Sequence, residues 1–381
     1  MSDLLTEVQQ SILEAARKFS DGEVAPLAAR IDRDDEFPAG LYKAMGALGF
    51  YGLGLEEEYG GSGLDSISVC LVMEAIARNS ASVGNAFAIP VEAALLLSHH
   101  GTPEQKELIP SVLAGDLIFA TAMTEPDFGS DAAGIRTRAR RVEGGWCLNG
   151  TKAWVTMGGV ADRLIVFART GAGPGHKAIS CFLVDAGQQG VSRGKAEELL
   201  GMHGLADCQI TLQDVVVPDG AMIGPPESAF KTAMGNFNYS RLLMSSLALG
   251  IAQTALDDAV SYAHERKQFG APIFTFQAVQ FMVADSATEI DAARLLIHHA
   301  CRLHDAGLPY ARQAAEAKLF TTDMAQRVVT RSLQIHGGNG YSREYRIERL
   351  FRDARLTQIY EGTNEIQRLI IARQVAREFD A

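Results

Sequence analysis

The sequence predicts a mainly α protein with a central β-domain. An N-terminal helical domain is expected over residues 1–118, an antiparallel, barrel-like β-domain over 119–226, and a C-terminal four-helix bundle over 227–381. Three observations carry this reading. Apolar residues recur at helical spacing up to about Leu117. Short β-branched and aromatic runs, parted by glycine or proline, then follow with no long helix between them. Long amphipathic stretches with short links fill the remainder.

In the first region Leu5, Val8, Ile12, Ala15 and Phe19 recur at helical spacing and are expected to form one buried stripe. Breaks fall at Asp35–Pro38 and in the glycine-rich loop Glu58–Ser66. "SISVCLVMEAIARN" and "PVEAALLLSHHG" read as buried helices, the second closed by Gly101. In the middle region, "GGWCLNGTKAWVTM" carries Asn149-Gly150 between strand-like runs, a hairpin signal. "DRLIVFART", "AISCFLVD" and "DCQITLQDVVVP" supply further strands, and the loop Pro218–Ser228 closes the domain. Helix returns near Phe230. Its stripe of Leu249, Ala252, Leu256, Ala259 and Ala263 ends near Gly270-Ala271-Pro272, and three more helices cover Gln277–Gly307, Ala311–Gly338 and Asn364–Glu378.

At 381 residues the chain exceeds one compact core, so two or three domains are expected. Its formal net charge of −11 argues against general affinity for nucleic acid, which needs a basic face. Five cysteines, Cys70, Cys147, Cys181, Cys208 and Cys301, are odd in number and scattered, which suits reduced thiols better than disulfides or zinc. The N-terminus resembles neither a secretory signal nor an Arg-rich transit peptide, and no uninterrupted apolar run appears long enough for a membrane. These features predict a soluble, cytoplasmic protein that binds no metal.

The glycine clusters Gly60–Gly63, Gly171–Gly175 and Gly337–Gly340 lack the dinucleotide-fold spacing, and there is neither a P-loop nor a nucleophile elbow. The adjacent pairs His99-His100 and His298-His299 diverge on a helix rather than converge on an ion; His304 near the second pair leaves a metal site as the alternative to surface or packing histidines.

Four segments carry chemistry. "ATAMTEPDFGSD", Ala120–Asp131, is either a turn-rich loop or a ligand edge offering the hydroxyls of Thr124 and Ser130. "HERKQFGAPI" places Arg266 at a helix end, as a dipole partner or a phosphate clamp. "QIHGGNGY" has a glycine pair suited to a helix cap or to close ligand approach. "YEGTNEIQRLIIAR" sets Glu361 just before a helix capped by Thr363 or Asn364. That acid is either an exposed charge or, against the apolar "LTQIY", a desolvated base with its pKa lifted toward neutrality.

Together these segments resemble the acyl-CoA dehydrogenase family of flavoproteins. "MTEPDFGSD", "GTKAWVTMGGVAD", "ERKQFG", "QIHGGNGY" and "YEGTNEIQRLIIAR" match its signatures in order over essentially the whole chain. The resemblance implies noncovalent FAD between the β-domain and the C-terminal bundle. It implies flavin contacts from Met123, Thr124, Gly129, Ser130, Trp154, Thr156, Thr363 and Glu365. Arg266, Gln268, Phe269, Gln277, Gln334 and Gly338 are implied to reach the FAD of a neighbouring subunit in a homotetramer. Ser130, Asn238, Arg241 and Gly362 fall on substrate positions. Glu361 falls on the catalytic base position. In some members the acid sits instead on the long helix before "ERKQFG", where this chain has Ser240. Thr121 and Met157 depart from residues common in the family.

The reaction so implied is α,β-dehydrogenation of an acyl-CoA to the trans-2-enoyl-CoA. Glu361 removes the α-proton, the β-hydride passes to flavin N5, and an electron-transfer flavoprotein reoxidises the flavin. An oxidase, an enoyl-CoA reductase or a decarboxylating or desulfinating enzyme on the same scaffold is the alternative. A catalytically silent, nucleic-acid-associated flavoprotein is disfavoured by Glu361 and by the charge. The acyl pocket is expected along Asn79–Ser98, a stretch without Arg or Lys, so acyl groups with a second carboxylate are not expected as substrates.

Overall fold

A computed structural model describes residues 5–173 and 175–379, apart from the side chains of residues 231–234. The first four residues, part of the N-terminal stretch read above, lie outside it.

Helix α1 (Glu7–Phe19) starts at a reciprocal cap: Gln9 N–H donates to Thr6 Oγ1, and Thr6 N–H to Gln9 Oε1. It runs through a π-turn (Ser20–Val24) into α2 (Ala25–Asp34), and α3 (Ala39–Ala47) follows. Asp65 caps α4 (Ser66–Ala77) and Ser80 caps α5 (Ala81–His100). Their side chains are buried almost without interruption, which explains why their sequences show no polar face. Helix α5 begins nine residues before Pro90, the residue from which the sequence pattern reads a helix, and carries that proline inside it. At 20 residues it reaches the length and apolarity of a membrane-crossing helix, contrary to the sequence reading, but it is packed inside the core. Short helices α6 (Pro103–Lys106) and α7 (Ile109–Leu113) lead to the sheet.

The strands are β1 (Phe119–Ala122), β2 (Arg138–Val142), β3 (Gly145–Val155), β4 (Arg163–Arg169), β5 (Ile179–Asp185), β6 (Val191–Ala196), β7 (Cys208–Pro218) and β8 (Met222–Ile223). They form one sheet in the order β6-β7-β3-β2-β4-β5-β8, with β1 added beside β4. Pairing is antiparallel except that β1 and one residue of β2 run parallel to β4. Asn149-Gly150 is not a hairpin turn. It lies inside β3 at a bulge, where the Asn149 side chain accepts from Asp214 N–H and a Cβ on Gly150 would strike Thr137. The turn between β2 and β3 is Glu143-Gly144, with Gly144 at φ 72°. Strand β6, which the apolar pattern does not reveal, is almost wholly exposed.

The C-terminal region consists of α8 (Ala229–Glu265), a two-residue hairpin of β9 (Lys267–Gln268) and β10 (Ala271–Pro272), α9 (Gln277–Asp305), α10 (Ala311–His336), α11 (Ile347–Thr357) and α12 (Asn364–Phe379). The four long helices were expected; α11 was not. It buries Ile347, Leu350 and Ala354, and it ties three regions together. Arg352 pairs with Asp32 of α2 at 2.6 Å, and Asp353 accepts from Met202 N–H at 2.7 Å. Helices α4 and α5 pack on α8, so the N- and C-terminal helices share one core. Helix α11 thereby fixes the start of the turn that carries Glu361.

Candidate active site

Glu361 sits between α11 and α12 with φ 54°, and Gly362 follows with φ 83°. Left-handed backbone at a glutamate costs about 1 kcal/mol and persists only where neighbours over-determine it. Here they do. Lys318 of α10, fully buried, donates to Gly362 O at 3.0 Å and to Asn364 Oδ1 at 2.8 Å. Gln367 Nε2 donates to Glu361 O and Gly362 O at 3.1 and 2.8 Å. Asn364 Nδ2 donates to Thr322 Oγ1 and Asp323 Oδ1 at 3.0 and 2.7 Å. The carbonyls of the turn are therefore held from behind. The N–H groups of Glu361, Gly362 and Thr363 meet no acceptor among the described residues.

The carboxyl end of Glu361 is buried although the residue as a whole is partly exposed, and its Oε2 has no hydrogen-bond partner among the described residues. Burial raises its pKa above the ordinary carboxylate range, while the Ser240 hydroxyl and the charges of Arg241 and Lys318 pull it back. Arg241 of α8 is 5% exposed and donates to Asn238 Oδ1 at 2.6 Å, so those two substrate candidates act as one unit. Burial lowers the Arg241 pKa, opposed by the Glu361 charge, and brings Lys318 to about 7. The Tyr360 hydroxyl is buried beside them without a partner among the described residues.

The flavin-edge candidates gather where the segment after β1 runs along β3. Ala153 N–H donates to Thr124 O at 2.9 Å, and Lys152 Nζ to Met123 O at 2.9 Å. Lys152 is itself buried in an ion pair with Glu125, whose carboxylate also accepts from Arg136 and Thr137 N–H. This clamp sets Met123 and Thr124 beside Trp154, a residue 59% exposed with φ 56°. An exposed tryptophan on left-handed backbone, next to a threonine hydroxyl without a hydrogen bond, fits a flat aromatic ligand. The Thr156 hydroxyl is already bonded to Asp207 at 2.8 Å. Gly129 and Ser130 are exposed on the loop beyond, and Ser130 makes no hydrogen bond to Arg241.

A second cluster forms around the β9–β10 hairpin. Arg266 is the C-cap of α8 and carries no ion pair among the described residues, Phe269 at the tip is 95% exposed, and Gln268 and Gln277 are exposed on either side. Gln334 and Gly338 lie exposed at the end of α10, and a Cβ at Gly338 would meet nothing. Thr363 Oγ1 accepts from Ile366 N–H at 3.4 Å, and Glu365 is exposed in the first turn of α12.

Two residues of the site escape the sequence motifs. Lys318 lies on the buried face of α10 with Ala314, Thr321, Thr322 and Ala325; a charge inside that apolar stripe is the available signal. Glu92 of α5 neighbours Glu361, and burial, with that charge second, pushes its carboxyl up to about 8. It is the one charged residue between Ser80 and Ser98.

Three family models match this chain: the acyl-CoA dehydrogenase N-terminal domain over residues 6–116, the middle domain over 120–215 and the C-terminal domain over 229–376. It is 41% identical to the human mitochondrial short-chain specific acyl-CoA dehydrogenase, covering 98% of this chain and 92% of that one. The butyryl-CoA dehydrogenase of Megasphaera elsdenii superposes with a TM-score of 0.95 at 38% identity, over 98% of this chain and 99% of that chain. A chain solved in work on the electron transferring flavoprotein of Acidaminococcus fermentans gives the same TM-score at 39% identity and the same coverage. The chain belongs to the acyl-CoA dehydrogenase family.

Proposed function

We propose that the protein is an FAD-dependent enzyme that dehydrogenates an acyl-CoA to the trans-2-enoyl-CoA, with Glu361 as the base that takes the α-proton. One observation carries this reading: the only carboxyl on the α11–α12 turn is buried, unpartnered at Oε2 and raised in pKa, next to backbone N–H groups without acceptors. The α-hydrogen of a thioester is weakly acidic, so its removal needs a base stronger than an ordinary carboxylate and support for the enolate oxygen. Glu361 supplies the first, and its own N–H on the left-handed turn is placed to supply the second. Lys318 and Gln367 keep the carbonyls turned away, which orients that N–H. Ser240 cannot serve as the base and acts on Glu361 only by its hydroxyl.

When bound, FAD accepts the β-hydrogen as hydride. Met123, Thr124, Gly129, Ser130, Trp154 and Thr156 would hold its ring from the β-domain, and Thr363 and Glu365 from α12. Arg266, Gln268, Phe269, Gln277, Gln334 and Gly338 are exposed, as residues serving a neighbouring protomer's FAD must be before assembly. With the exposed Phe281 and Leu295 of α9 they support a homotetramer. Asn238, Arg241, Ser130 and Gly362 would bind the acyl-CoA. We take the domains as 1–118, 119–226 and 227–381, the acceptor as an electron-transfer flavoprotein, and the location as cytoplasmic. The acceptor is supported by the Acidaminococcus likeness, and the location by five buried cysteines without a disulfide.

The test is Glu361→Gln. The variant is expected to retain FAD yet show no anaerobic bleaching with any member of an acyl-CoA panel. Wild-type bleaching in the variant would place the base elsewhere.

A further inference from the structure

Helix α5 brings a second carboxyl to the base. Glu92 lies one residue from buried Val91 and Ala93, and Asn236 Nδ2 of α8 donates to its backbone carbonyl at 3.2 Å, which fixes that turn of α5 against α8. Ser240, 1% exposed, lies one helical turn beyond Asn236 on the face of α8 that meets Glu92, and its hydroxyl neighbours both acids and lowers the pKa of each. Yet Ser240 Oγ and Glu361 Oε2 are both buried without a hydrogen bond of good geometry. The cations of the site favour one acid. Arg241 and Lys318 act on Glu361, while no cation among the described residues acts on Glu92. A purely alkyl acyl group entering here would cover a carboxyl and a hydroxyl without pairing them, which is costly.

We propose that Glu92 is a specificity-determining residue, and that its carboxyl with Ser240 selects acyl thioesters bearing a hydroxyl on the chain over plain alkyl chains of equal length. A hydroxyl both donates and accepts, so it satisfies Glu92 whichever protonation state the pair adopts. A second carboxylate would add a third acid to a space whose two cations already face Glu361, and is excluded. The proposal rests on Glu361 being the base only in placing the acyl group between α5 and the α11–α12 turn.

The experiment compares holoenzyme and its Glu92→Leu and Glu92→Gln variants. Affinity is read from the flavin spectrum on titration with crotonyl-CoA and 4-hydroxycrotonyl-CoA, enoyl thioesters that bind without reducing the flavin. Steady-state kcat/KM is read with butyryl-CoA and 4-hydroxybutyryl-CoA. Wild type is expected to favour the hydroxylated member of each pair by about tenfold or more, the order expected when a polar site loses its partner. Glu92→Leu should remove or invert that preference, and Glu92→Gln, which keeps a donor and an acceptor, should retain most of it. A wild type that favours the unsubstituted chain, or a leucine variant that shifts both ligands by one factor, overturns the proposal. If no thioester bleaches the flavin, the reading of Glu361 fails, and the two enoyl affinities still decide the role of Glu92.

Discussion

Replacing Lys318 by methionine tests whether the α11–α12 turn is held for catalysis or for stability. The ammonium is fully buried and makes two hydrogen bonds, to Gly362 O and Asn364 Oδ1. Hydrogen bonds from a charged donor contribute about 1.5–3 kcal/mol each. Burying the ammonium costs several kcal/mol in return. Neither acceptor is orphaned by the change: Gly362 O keeps Gln367 Nε2 at 2.8 Å, and Asn364 Oδ1 keeps Thr322 Oγ1 at 3.1 Å. The opposing contributions nearly cancel, so stability should change by no more than about 1–2 kcal/mol, a few degrees in melting temperature. Catalysis should respond differently. Glu361 holds a left-handed conformation that its neighbours impose, and an error of about 1 Å in a reacting group lowers rate about 100-fold.

The charge adds a second signature. Lys318 lowers the pKa of Glu361, and a base works only when deprotonated, so the acid limb of kcat/KM should move to higher pH without the lysine. With pH-dependent kcat/KM measured against ferricenium, FAD content by absorbance and melting by calorimetry, the expected pattern is a loss of about 100-fold in kcat/KM, an alkaline shift of the acid limb and near-native melting. Unchanged kcat/KM with melting lowered by ten degrees or more would refute it, since Lys318 would then only stabilise the fold.

Gly362→Ala forces a Cβ into backbone at φ 83° and within 2.9 Å of Gln367 Nε2, so it should destabilise by about 1–2 kcal/mol and reduce kcat more than it raises KM; a KM effect alone would speak against the turn as the placing element. Lys152→Met leaves the buried Glu125 carboxylate with two backbone N–H donors and no cation, which should cost about 3–5 kcal/mol and weaken FAD retention through Met123 and Thr124. An unchanged melting temperature with normal flavin content would show that the clamp does not hold that edge.

The fold was legible where one face of an element meets solvent. Helix α1, with apolar residues at helical spacing, and β7, with its alternation of buried and exposed residues, announce their type, because burial on one side writes a period into the sequence. The face α1 buries nonetheless runs through Gln9, Ala16 and Phe19 and leaves Val8 and Ala15 of the expected stripe exposed. It was less legible where both sides are buried or neither is. The N-terminal half of α5 is buried all round, so its start at Ala81 shows no period, and Pro90 suggests a boundary that tertiary packing overrides. Strand β6 faces solvent on both sides and exists because β7 pairs with it. Helix α11 reads as a run of charges, and those charges are its fastening: Arg352 and Asp353 attach it to Asp32 and Met202, partners roughly 150 to 320 positions away in sequence. Asn149-Gly150 misled for the opposite reason, because its local preference is strong but the side chain of Asn149 is spent on Asp214 across the strand pair.

The site divides along the same line. Glu361 was readable because its turn is local: an apolar run, a glycine and an N-cap within a few residues determine that a carboxyl leaves the chain there. Whether that carboxyl is basic depends on groups the sequence scatters, with Ser240 and Arg241 on α8, Lys318 on α10 and Glu92 on α5. Each is a polar residue inside an otherwise apolar helix face, and alone each has an ordinary explanation. Their common meaning comes from convergence, since two acids with a hydroxyl neighbouring both share one desolvated space and two cations act on only one of the acids. A charge isolated in a buried stripe therefore asks for compensation, and only the packing of four helices shows that for Glu361 it comes from cations of the chain, whereas Glu92 is left to take up a proton or, as proposed above, to pair with a ligand hydroxyl.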